Sequence, residues 1–257
     1  MNSSKLSSAT LKVVGVIPAR MESERLPGKV LRPICGLPMV HRVFERARAC
    51  RYLTELWVAT DSSEVQGYCD RNQIPVLMTA STHQSGTERI HEVMQTRPAE
   101  IFVNIQGDEP MLSASHLDLL VEPFLRERET QVTTLKTPLG PEEAQNPHVV
   151  KVVTSTDGQA LYFSRAAIPY HRNASSSLPY YKHLGLYGYR REALERYRQL
   201  PPSPLEQAER LEQLRFLENG IPIQVSETAL DTIGVDTEED WQAVTRYFEG
   251  LRSGGTG

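Results

Sequence analysis

The chain has 257 residues and a formal net charge of −4, with 39% hydrophobic and 23% charged residues. This length accommodates one large α/β domain, or a domain with a subdomain, around a substantial core. The acidic balance argues against a nucleic-acid-binding protein that relies on bulk attraction to phosphate. No apolar run approaches the ~20 residues of a membrane span.

The cysteines and the two ends of the chain indicate its environment. Cys35, Cys50 and Cys69 form no C-x-x-C pair and are odd in number, which suits reduced thiols. The first ten residues lack an apolar core long enough for a signal peptide. We therefore predict a cytoplasmic protein without a membrane or nucleic-acid partner, with disordered ends at residues 1–10 and 252–257.

A β-branched run at residues 13–17 is predicted to form a buried first strand, which Pro18 ends because proline has no amide hydrogen to donate. The loop that follows carries Arg20, Arg25 and Lys29 among turn-forming residues. Open α/β sheets bind ligands at the carboxyl ends of their strands. Three cations at this place suit a polyphosphate, and the alternative is a solvated basic loop.

This loop is not a Walker phosphate loop. Ser23 stands where that motif needs its first glycine, and Val30 follows Lys29 where the motif needs Ser or Thr. No G-x-G-x-x-G follows the strand either. Gly28 nevertheless permits a close approach of backbone amides to an anion.

The next elements alternate between helix and strand. Residues 39–50 have helical spacing of apolar positions, and short apolar runs at 56–59 and 75–78 predict strands. Between these strands, Asp61 and Glu64 have the form of a capping box that starts a helix. Alternation of this kind implies parallel strands with right-handed crossovers, whose loops gather on one edge of the sheet.

A polar turn at residues 83–89, H-Q-S-G-T-E-R, precedes a helix predicted to end near Thr96. Ser85, Gly86 and Thr87 at the start of this helix expose amides and hydroxyls. Such groups suit the edge of a base or a phosphate. The alternative is a capped helix without a ligand.

A carboxylate follows the apolar strand predicted at residues 101–105. Asp108 comes directly after this strand and therefore lies at the same edge as the first loop. Hard oxygen ligands together with phosphate suit Mg²⁺, and the alternative is a turn aspartate before Pro110. Glu109 is a weaker candidate, because a second carboxylate in a turn is often only solvated.

The second half departs from simple alternation. After a helix at 115–126 and a strand at 131–136, residues 149–163 read as a hairpin around a Thr-Asp-Gly turn. Residues 168–179 form a Pro/Ser/Asn-rich loop that we expect to be mobile. A strand at 182–189 then places two polar side chains of interest on one face, those of His183 and Tyr187.

A long helix is predicted from residue 203 to residue 220. Ser203 and Glu206 form a capping box at its start, with a proline in the first turn. Glu212 and Gln213 lie between two leucines of its apolar side. Periodicity alone assigns this pair to the polar flank of an amphipathic or subunit-contact helix.

The chain closes with a strand at 221–225 and a final helix that opens at 234–240, G-V-D-T-E-E-D, and ends near Gly250. Asp236 stands at the start of this helix. One interpretation is a plain N-cap with Glu239 as its capping partner. The other is a metal ligand, and it rests on the resemblance described next.

The motifs together resemble one family. The segments A-R-x-x-S-x-R-L-P-G-K, H-Q-S-G-T-E-R and G-V-D-T-x-E-D occur in order, with L-E-Q-L-R and H-L-G-x-Y-G-Y segments between the last two, and they cover most of residues 12–245. The chain is similar to the 3-deoxy-manno-octulosonate cytidylyltransferases, which are sugar nucleotidyltransferases. Members more often have Thr-Arg at Glu24 and Arg25, and Pro at Val30, but the loop cations are retained.

The resemblance implies an α/β fold with a mostly parallel, Rossmann-like sheet of the nucleotidyltransferase type. It implies a nucleotide-binding half at residues 11–140 and an inserted hairpin and helix subdomain at 141–230 for sugar binding and dimerisation. Residues 231–250 would return a metal ligand and a helix to the nucleotide half.

The implied reaction joins CTP and 3-deoxy-manno-octulosonate (Kdo) to give CMP-Kdo and pyrophosphate, which activates the sugar for lipopolysaccharide synthesis. The implied cofactor is Mg²⁺, and relatives resemble homodimers. Catalysis is assigned to Arg20, Arg25, Lys29, Asp108 and Asp236, with Asp108 and Asp236 as metal ligands. Nucleotide binding is assigned to Ala19, Arg20, Lys29, Ser85, Gly86, Thr87, Arg89, Gln106 and Asp108. Sugar binding is assigned to Gln106, Arg165, His183, Tyr187, Glu212 and Gln213.

Three alternatives stay open at this point. The sugar acid is sialic acid, or it is an amino-substituted analogue of Kdo, or the chain is a nucleotide-binding regulatory protein without turnover. Paired metal ligands and three loop cations argue against the last, because a simple binder has less use for them. Within the sugar site, Arg165 suits the substrate carboxylate and the other side chains suit hydroxyls.

Overall fold

The computed structural model of the chain describes residues 11–23, 25–83, 85–173 and 178–253. The predicted disordered segment at 1–10, the last four residues of the chain, and part of the predicted mobile loop at 168–179 lie outside the described residues. Two motif members, Glu24 and Gln84, also lie outside them.

The described residues form strands and helices in the following order. The strands are β1 (Val13–Pro18), β2 (Pro33–Ile34), β3 (Leu37–Pro38), β4 (Glu55–Thr60), β5 (Val76–Met78), β6 (Ile101–Asn104), β7 (Val132–Leu139), β8 (Lys151–Thr154), β9 (Ala160–Ser164), β10 (Tyr180–Arg190) and β11 (Ile223–Glu227). The helices are α1 (Met39–Ala47), α2 (Ser63–Arg71), α3 (Gly86–Thr96), α4 (Ala114–Arg126), α5 (Pro141–Ala144), α6 (Arg191–Gln199), α7 (Pro204–Glu209), α8 (Gln213–Glu218) and α9 (Glu238–Ser253).

The main sheet has the order β11-β7-β10-β6-β1-β4-β5, with the β8-β9 hairpin attached through β10. Strands β6, β1, β4 and β5 are parallel neighbours, and β10 runs antiparallel between β6 and β7. The predicted α/β fold with a mainly parallel central sheet is therefore confirmed. Because β7, β10 and β11 join the same sheet, the domain boundaries at 140 and 230 stay predictions.

Alternation along β1 explains how helices cover both faces of the sheet. Val13 and Ile17 pack into a core with α1, α2 and α4, whereas Val14 and Val16 pack into a second core with α3, α6 and α8. Successive strand residues point to opposite faces, so one buried strand supplies both cores. Among the helices of the described ranges, none is both long and apolar enough to cross a membrane.

A third, smaller core holds α9 against the start of the chain. Val244 and Phe248 of α9 pack with Ile34 and Met39, and Val235 joins them. The amide of Val235 also donates to the carbonyl of Asp108 at 2.8 Å. The segment before α9 is therefore fixed against the turn that follows β6.

The long helix predicted at 203–220 is wrong as a single helix. The predicted capping box of Ser203 and Glu206 is present, but α7 ends at Arg210, whose φ of 53° is left-handed, and α8 starts at Gln213. Nine residues of continuous helix span ~13.5 Å, yet Arg215 Nε donates to Glu206 Oε2 at 2.7 Å. The break between α7 and α8 lets Glu206 and Arg215 form this pair. The periodicity of the sequence does not reveal the break.

Two other helix ends differ from expectation. Helix α2 is capped by Ser62, whose hydroxyl accepts from the Val65 amide, because the carboxylate of Asp61 is taken by Arg89 at 2.8 Å. Helix α9 runs past Gly250 to residue 253, so the predicted disordered end at 252–257 begins too early.

Gly107 provides a test of how tightly the turn after β6 is built. A Cβ at this position would overlap the carbonyl oxygen of Pro18, whereas a Cβ at Gly140 would meet nothing within 4 Å. We expect Gly107→Ala to lower the free energy of unfolding by roughly 1–3 kcal/mol, because backbone must shift. Gly140→Ala is the matched control and should change it by less than about 0.5 kcal/mol. Denaturant unfolding of both variants checks this, and equal stabilities would contradict the close approach.

Candidate active site

Two adjoining clefts open at the carboxyl ends of β1 and β6, where the sequence predicts a ligand site. The first cleft, of about 830 Å³, is lined by the loop after β1 together with Arg89 and Asp108. The second cleft, of about 770 Å³, is lined by His183 and Glu212 and by the residues around them. Four residues line both clefts: Arg20, Gly86, Gln106 and Asp236. The two clefts therefore meet, and the junction is polar.

Lys29 is the centre of the first cleft. Its ammonium donates to Asp108 Oδ2 at 2.7 Å, to the Val235 carbonyl at 2.8 Å and to Asp236 Oδ1 at 2.9 Å. An ammonium has three protons to donate, so these partners saturate it. Arg25 holds the other oxygen of Asp236 at 2.8 Å. The structure thus brings both predicted metal ligands and two of the three loop cations together.

The charges in this cluster stabilise one another. Burial by itself lowers the pKa of Lys29, but the Asp108 and Asp236 carboxylates outweigh it and raise that pKa above its usual value. Burial likewise raises the pKa of Asp236, but Lys29 and Arg25 outweigh it and lower that pKa. Lys29 and Asp236 are therefore both charged at neutral pH.

The donor set fits Mg²⁺. Asp108 and Asp236 each direct an oxygen at the same ammonium, so two hard anionic ligands converge on one cation position. The described residues contain no group of three or more His, Cys, Asp or Glu side chains that could hold a metal by themselves. Mg²⁺ ordinarily takes one or two carboxylates and completes its shell with phosphate and water.

Asp236 is not the N-cap of α9. The carboxylate of Asp240 accepts from the amides of Asp236 and Thr237, and the Thr237 hydroxyl accepts from the Asp240 amide. Thr237 and Asp240 thus form the cap, and Glu239 has no part in it. The capping interpretation of Asp236 is wrong, and its carboxylate is available to the cleft.

The turn before α3 serves both clefts and also caps its helix. The Ser85 hydroxyl accepts from the Glu88 amide at 3.3 Å, so the capped-helix interpretation holds in part. Ser85 and Thr87 nevertheless line the second cleft, and Gly86 lines both. Arg89 lines the first cleft while fully buried. This segment therefore forms part of the lining of the site.

Two other predicted nucleotide ligands have structural partners. The Ala19 amide donates to the Ala59 carbonyl at 2.9 Å, so it extends the ladder of β1 and is not available to an anion. Gln106 Nε2 donates to the Gly185 carbonyl at 3.0 Å. This bond ties the strand of the first cleft to that of the second.

The second cleft contains a neutral hydrogen-bonded group of side chains. His183 Nε2 lies 2.9 Å from the Tyr187 hydroxyl and 3.0 Å from Thr134 Oγ1. Burial lowers the pKa of His183 to about 3 and raises that of Tyr187 far above its usual value. The imidazole and the phenol are therefore both uncharged near neutral pH, which suits the binding of hydroxyls.

Glu212 and Gln213 face this cleft because α7 and α8 are separate helices. Thr87 Oγ1 donates to Glu212 Oε2 at 3.1 Å. Desolvation by the surrounding protein raises the pKa of Glu212, and the hydrogen bond from Thr87 opposes that effect. The interpretation as the polar flank of an amphipathic helix does not describe this pair.

Arg165, like Ala19, is a predicted site residue that does not line either cleft in the described structure. Its guanidinium donates to the carbonyls of Glu209 at 2.8 Å, Pro147 at 3.2 Å and Arg210 at 3.5 Å. In this geometry the Arg165 guanidinium joins two segments of the second cleft through their backbone carbonyls. Its predicted contact with the substrate carboxylate therefore has no support in this structure.

Several polar residues of the second cleft are missing from the sequence prediction, among them Asn104, Lys182 and Arg210. Asn104 had a signal, because an amide within the apolar strand I-F-V-N-I is a buried polar group that needs a partner. Arg210 had none, since its position depends on the break between α7 and α8. Lys182 is held by Asp231 at 2.8 Å, which no local pattern indicates.

Comparison with known proteins identifies the family. A family model described as Cytidylyltransferase matches residues 14–227. A 3-deoxy-manno-octulosonate cytidylyltransferase of Koribacter versatilis is 50% identical over 249 residues, covering 97% of this chain and 94% of that protein. One from Acidobacterium capsulatum is 53% identical over 240 residues, covering 93% and 98%. The chain belongs to the 3-deoxy-manno-octulosonate cytidylyltransferase family. The predicted resemblance is confirmed, and the chain is a nucleotidyltransferase.

Solved structures agree with this family. A CMP:2-keto-3-deoxy-manno-octonic acid synthetase complexed with CTP matches with a TM-score of 0.91 and 44% identity, covering 93% of this chain and 99% of that chain. A putative glucose-1-phosphate thymidylyltransferase from Bacillus anthracis matches with a TM-score of 0.67 and 16% identity, covering 91% and 94%. The second match shows the fold alone.

The neutral state of His183 predicts a pH dependence of stability. The pKa of about 3 in the folded protein lies below the ordinary histidine pKa of about 6.5. Between these values the unfolded chain binds a proton that the folded chain excludes, so stability falls as the pH is lowered. We expect His183→Gln to reduce this slope by up to about 1.4 kcal/mol per pH unit in that window. Denaturant unfolding at pH 4–8 measures it, and identical slopes for both proteins would contradict a neutral buried imidazole.

Proposed function

We propose that the chain transfers a cytidylyl group from CTP to Kdo, giving CMP-Kdo and pyrophosphate. The observation that carries this proposal is the pair of joined clefts. The first cleft holds the cluster of Lys29 and two carboxylates, which suits a triphosphate with Mg²⁺. The second cleft holds the uncharged pair of His183 and Tyr187, which suits the hydroxyls of a sugar acid. Gln106 and Asp236 line both clefts, so a phosphate in one lies beside a sugar in the other.

The reaction is an attack by the anomeric hydroxyl of the sugar acid on the α-phosphorus of CTP. A sugar-oxygen to phosphorus bond forms, the bond to the pyrophosphate oxygen breaks, and the hydroxyl proton is released. Phosphoryl transfer of this kind depends on alignment and on charge neutralisation rather than on covalent catalysis. Arg20, Arg25 and Lys29 supply positive charge for the leaving pyrophosphate.

Asp108 and Asp236 would hold Mg²⁺ in this proposal. A bound ion would supply positive charge at the phosphates and would lower the pKa of the attacking hydroxyl. Lys29 holds both carboxylates at the cleft junction, and Arg25 fixes the second oxygen of Asp236. These bonds orient the metal ligands before any substrate arrives.

The choice of sugar is tested by pyrophosphate release. The purified protein is incubated with CTP and Mg²⁺ and with Kdo, an amino-substituted analogue of Kdo, or sialic acid in separate reactions. We expect the highest kcat/KM for Kdo. Preference for either other acid would reassign the substrate, and absence of turnover with all three would favour a regulatory nucleotide-binding protein.

Asp236 gives a sharper test of the metal assignment. Asp236→Asn should lower turnover by ~100-fold or more, because a metal ligand is lost. It should also lower the free energy of unfolding, because Lys29 and Arg25 lose a charged partner. Asp240→Ala is the matched variant on the same turn: it removes the cap of α9 and should lower the free energy of unfolding by about 0.5–2 kcal/mol. Activity titrated with Mg²⁺ and denaturant unfolding separate the two effects. Near-wild-type turnover of Asp236→Asn at limiting Mg²⁺ would exclude Asp236 as a ligand.

The proposal includes a cytoplasmic homodimer. Leu211 and Leu214 pack in the second core, so the leucines of the 203–220 segment give less support to a subunit contact than their spacing indicates. Stronger support comes from exposed apolar side chains in the same half, Leu161 at 63% and Tyr170 at 86% exposed. Leu161 lies on β9, whose ladder pairs it with β8. Apolar groups beside a strand edge favour burial by a second copy.

Assembly is tested by light scattering at micromolar concentrations. We expect twice the mass of one chain, from a two-fold interface across the 150–220 region that buries on the order of 1,600 Å² or more. Leu161→Glu should shift the mass toward the monomer, whereas Leu125→Glu, at an exposed leucine of α4, should leave it unchanged. A monomer mass that persists as concentration rises would contradict the dimer.

A further inference from the structure

Asn104 has a polar atom with no partner at the junction of the two clefts. It is the last residue of β6, is 3% exposed, and lines the second cleft. Its Oδ1 makes no hydrogen bond within the described structure. A buried amide oxygen left unpaired is unfavourable, so such an atom in a cleft indicates a missing donor.

The surroundings of Asn104 determine which cleft its amide serves. In the pairing of β6 with β10, Asn104 lies directly opposite Tyr187. The side chains of Thr87 and Asn104 are both hydrogen-bond partners of the Tyr189 hydroxyl, and Thr87 continues to Glu212. Asn104 is therefore part of one polar wall with the residues of the second cleft.

Gly86 adds no side chain beside this amide. A Cβ at residue 86 would lie 3.4 Å from Asn104 Nδ2 and 3.7 Å from Asn104 Oδ1, so a larger side chain there would press on the amide. Because Gly86 lines both clefts and Asn104 lines the second, the amide lies just beneath the surface of the cleft.

We propose that Asn104 Oδ1 accepts a hydrogen bond from one hydroxyl of the sugar acid and so makes Asn104 a specificity-determining residue of the second cleft. This inference rests on the proposed function. The amide nitrogen of Asn104 faces the Tyr189 hydroxyl. The amide oxygen of Asn104 is therefore left as an acceptor. A site built to pair one hydroxyl rejects the analogue that lacks it, because the acceptor then stays unpaired.

The test uses two variants and a series of sugar acids. Asn104→Leu has a similar shape and no acceptor, whereas Asn104→Asp keeps an oxygen toward the cleft. Each protein is assayed for pyrophosphate release with Kdo and with monodeoxy analogues that each lack one hydroxyl. The KM for CTP, whose triphosphate lies in the first cleft, is the internal control, and thermal unfolding reports folding.

We expect Asn104→Leu to raise the KM for Kdo ~10-fold or more and to leave the KM for CTP within about twofold. The wild type should discriminate against one deoxy analogue by a similar factor, and Asn104→Leu should lose that discrimination while Asn104→Asp retains it. If Asn104→Leu does not fold, discrimination by the wild type and by Asn104→Asp still decides the matter. Equal losses on all analogues and on CTP would overturn the proposal and leave Asn104 a structural residue. Failure of the wild type to use Kdo at all would instead refute the proposed function.

Discussion

The bonds of the Lys29 ammonium hold the candidate site together. They join three stretches that are distant in sequence: the loop after β1, the turn after β6 and the segment before α9. Taking an ammonium out of water is costly unless it is paired and fully hydrogen-bonded. Asp108, the Val235 carbonyl and Asp236 provide that pairing. The position of each carboxylate therefore depends on the same cation, and the cation depends on both.

This arrangement makes the C-terminal helix part of the site. Phe248 and Val244 bury α9 in the third core, and the Val235 amide binds the Asp108 carbonyl. If α9 detached, Lys29 would lose two of its three acceptors and the first cleft would lose Asp236. Packing of α9 in the third core thus sets the geometry of the charged groups in the clefts.

Much of the fold and part of the site follow from local pattern. The alternation in β1 and the carboxylate after β6 could be predicted from the sequence, because each depends on neighbours within a few residues. The break at Arg210 was not, because it depends on a pairing between Glu206 and Arg215 that only a bent chain allows. The contacts of Arg165 could not be predicted either, and the apolar strand around Asn104 indicated only that its amide needs a partner. The contacts of both residues depend on which strands and loops become neighbours in space.

The two clefts present different groups to a ligand, and the strands of the sheet hold the clefts in a fixed relative position. A bulge in β10 between Leu184 and Tyr187 interrupts its pairing with β7, and the Gly185 carbonyl within this bulge accepts from Gln106. Strand β6 leads into Gln106 and Asp108 and pairs with β10 and β1 on its two sides. Several of the groups proposed to hold the phosphate and the sugar thus lie on β10 or in the segments that directly follow β1 and β6, which are neighbouring strands of one sheet. In-line transfer requires reacting atoms to be held within a small range of distances and angles. Rigid strands meet that requirement better than independent loops, since a loop would have to be ordered again in each turnover.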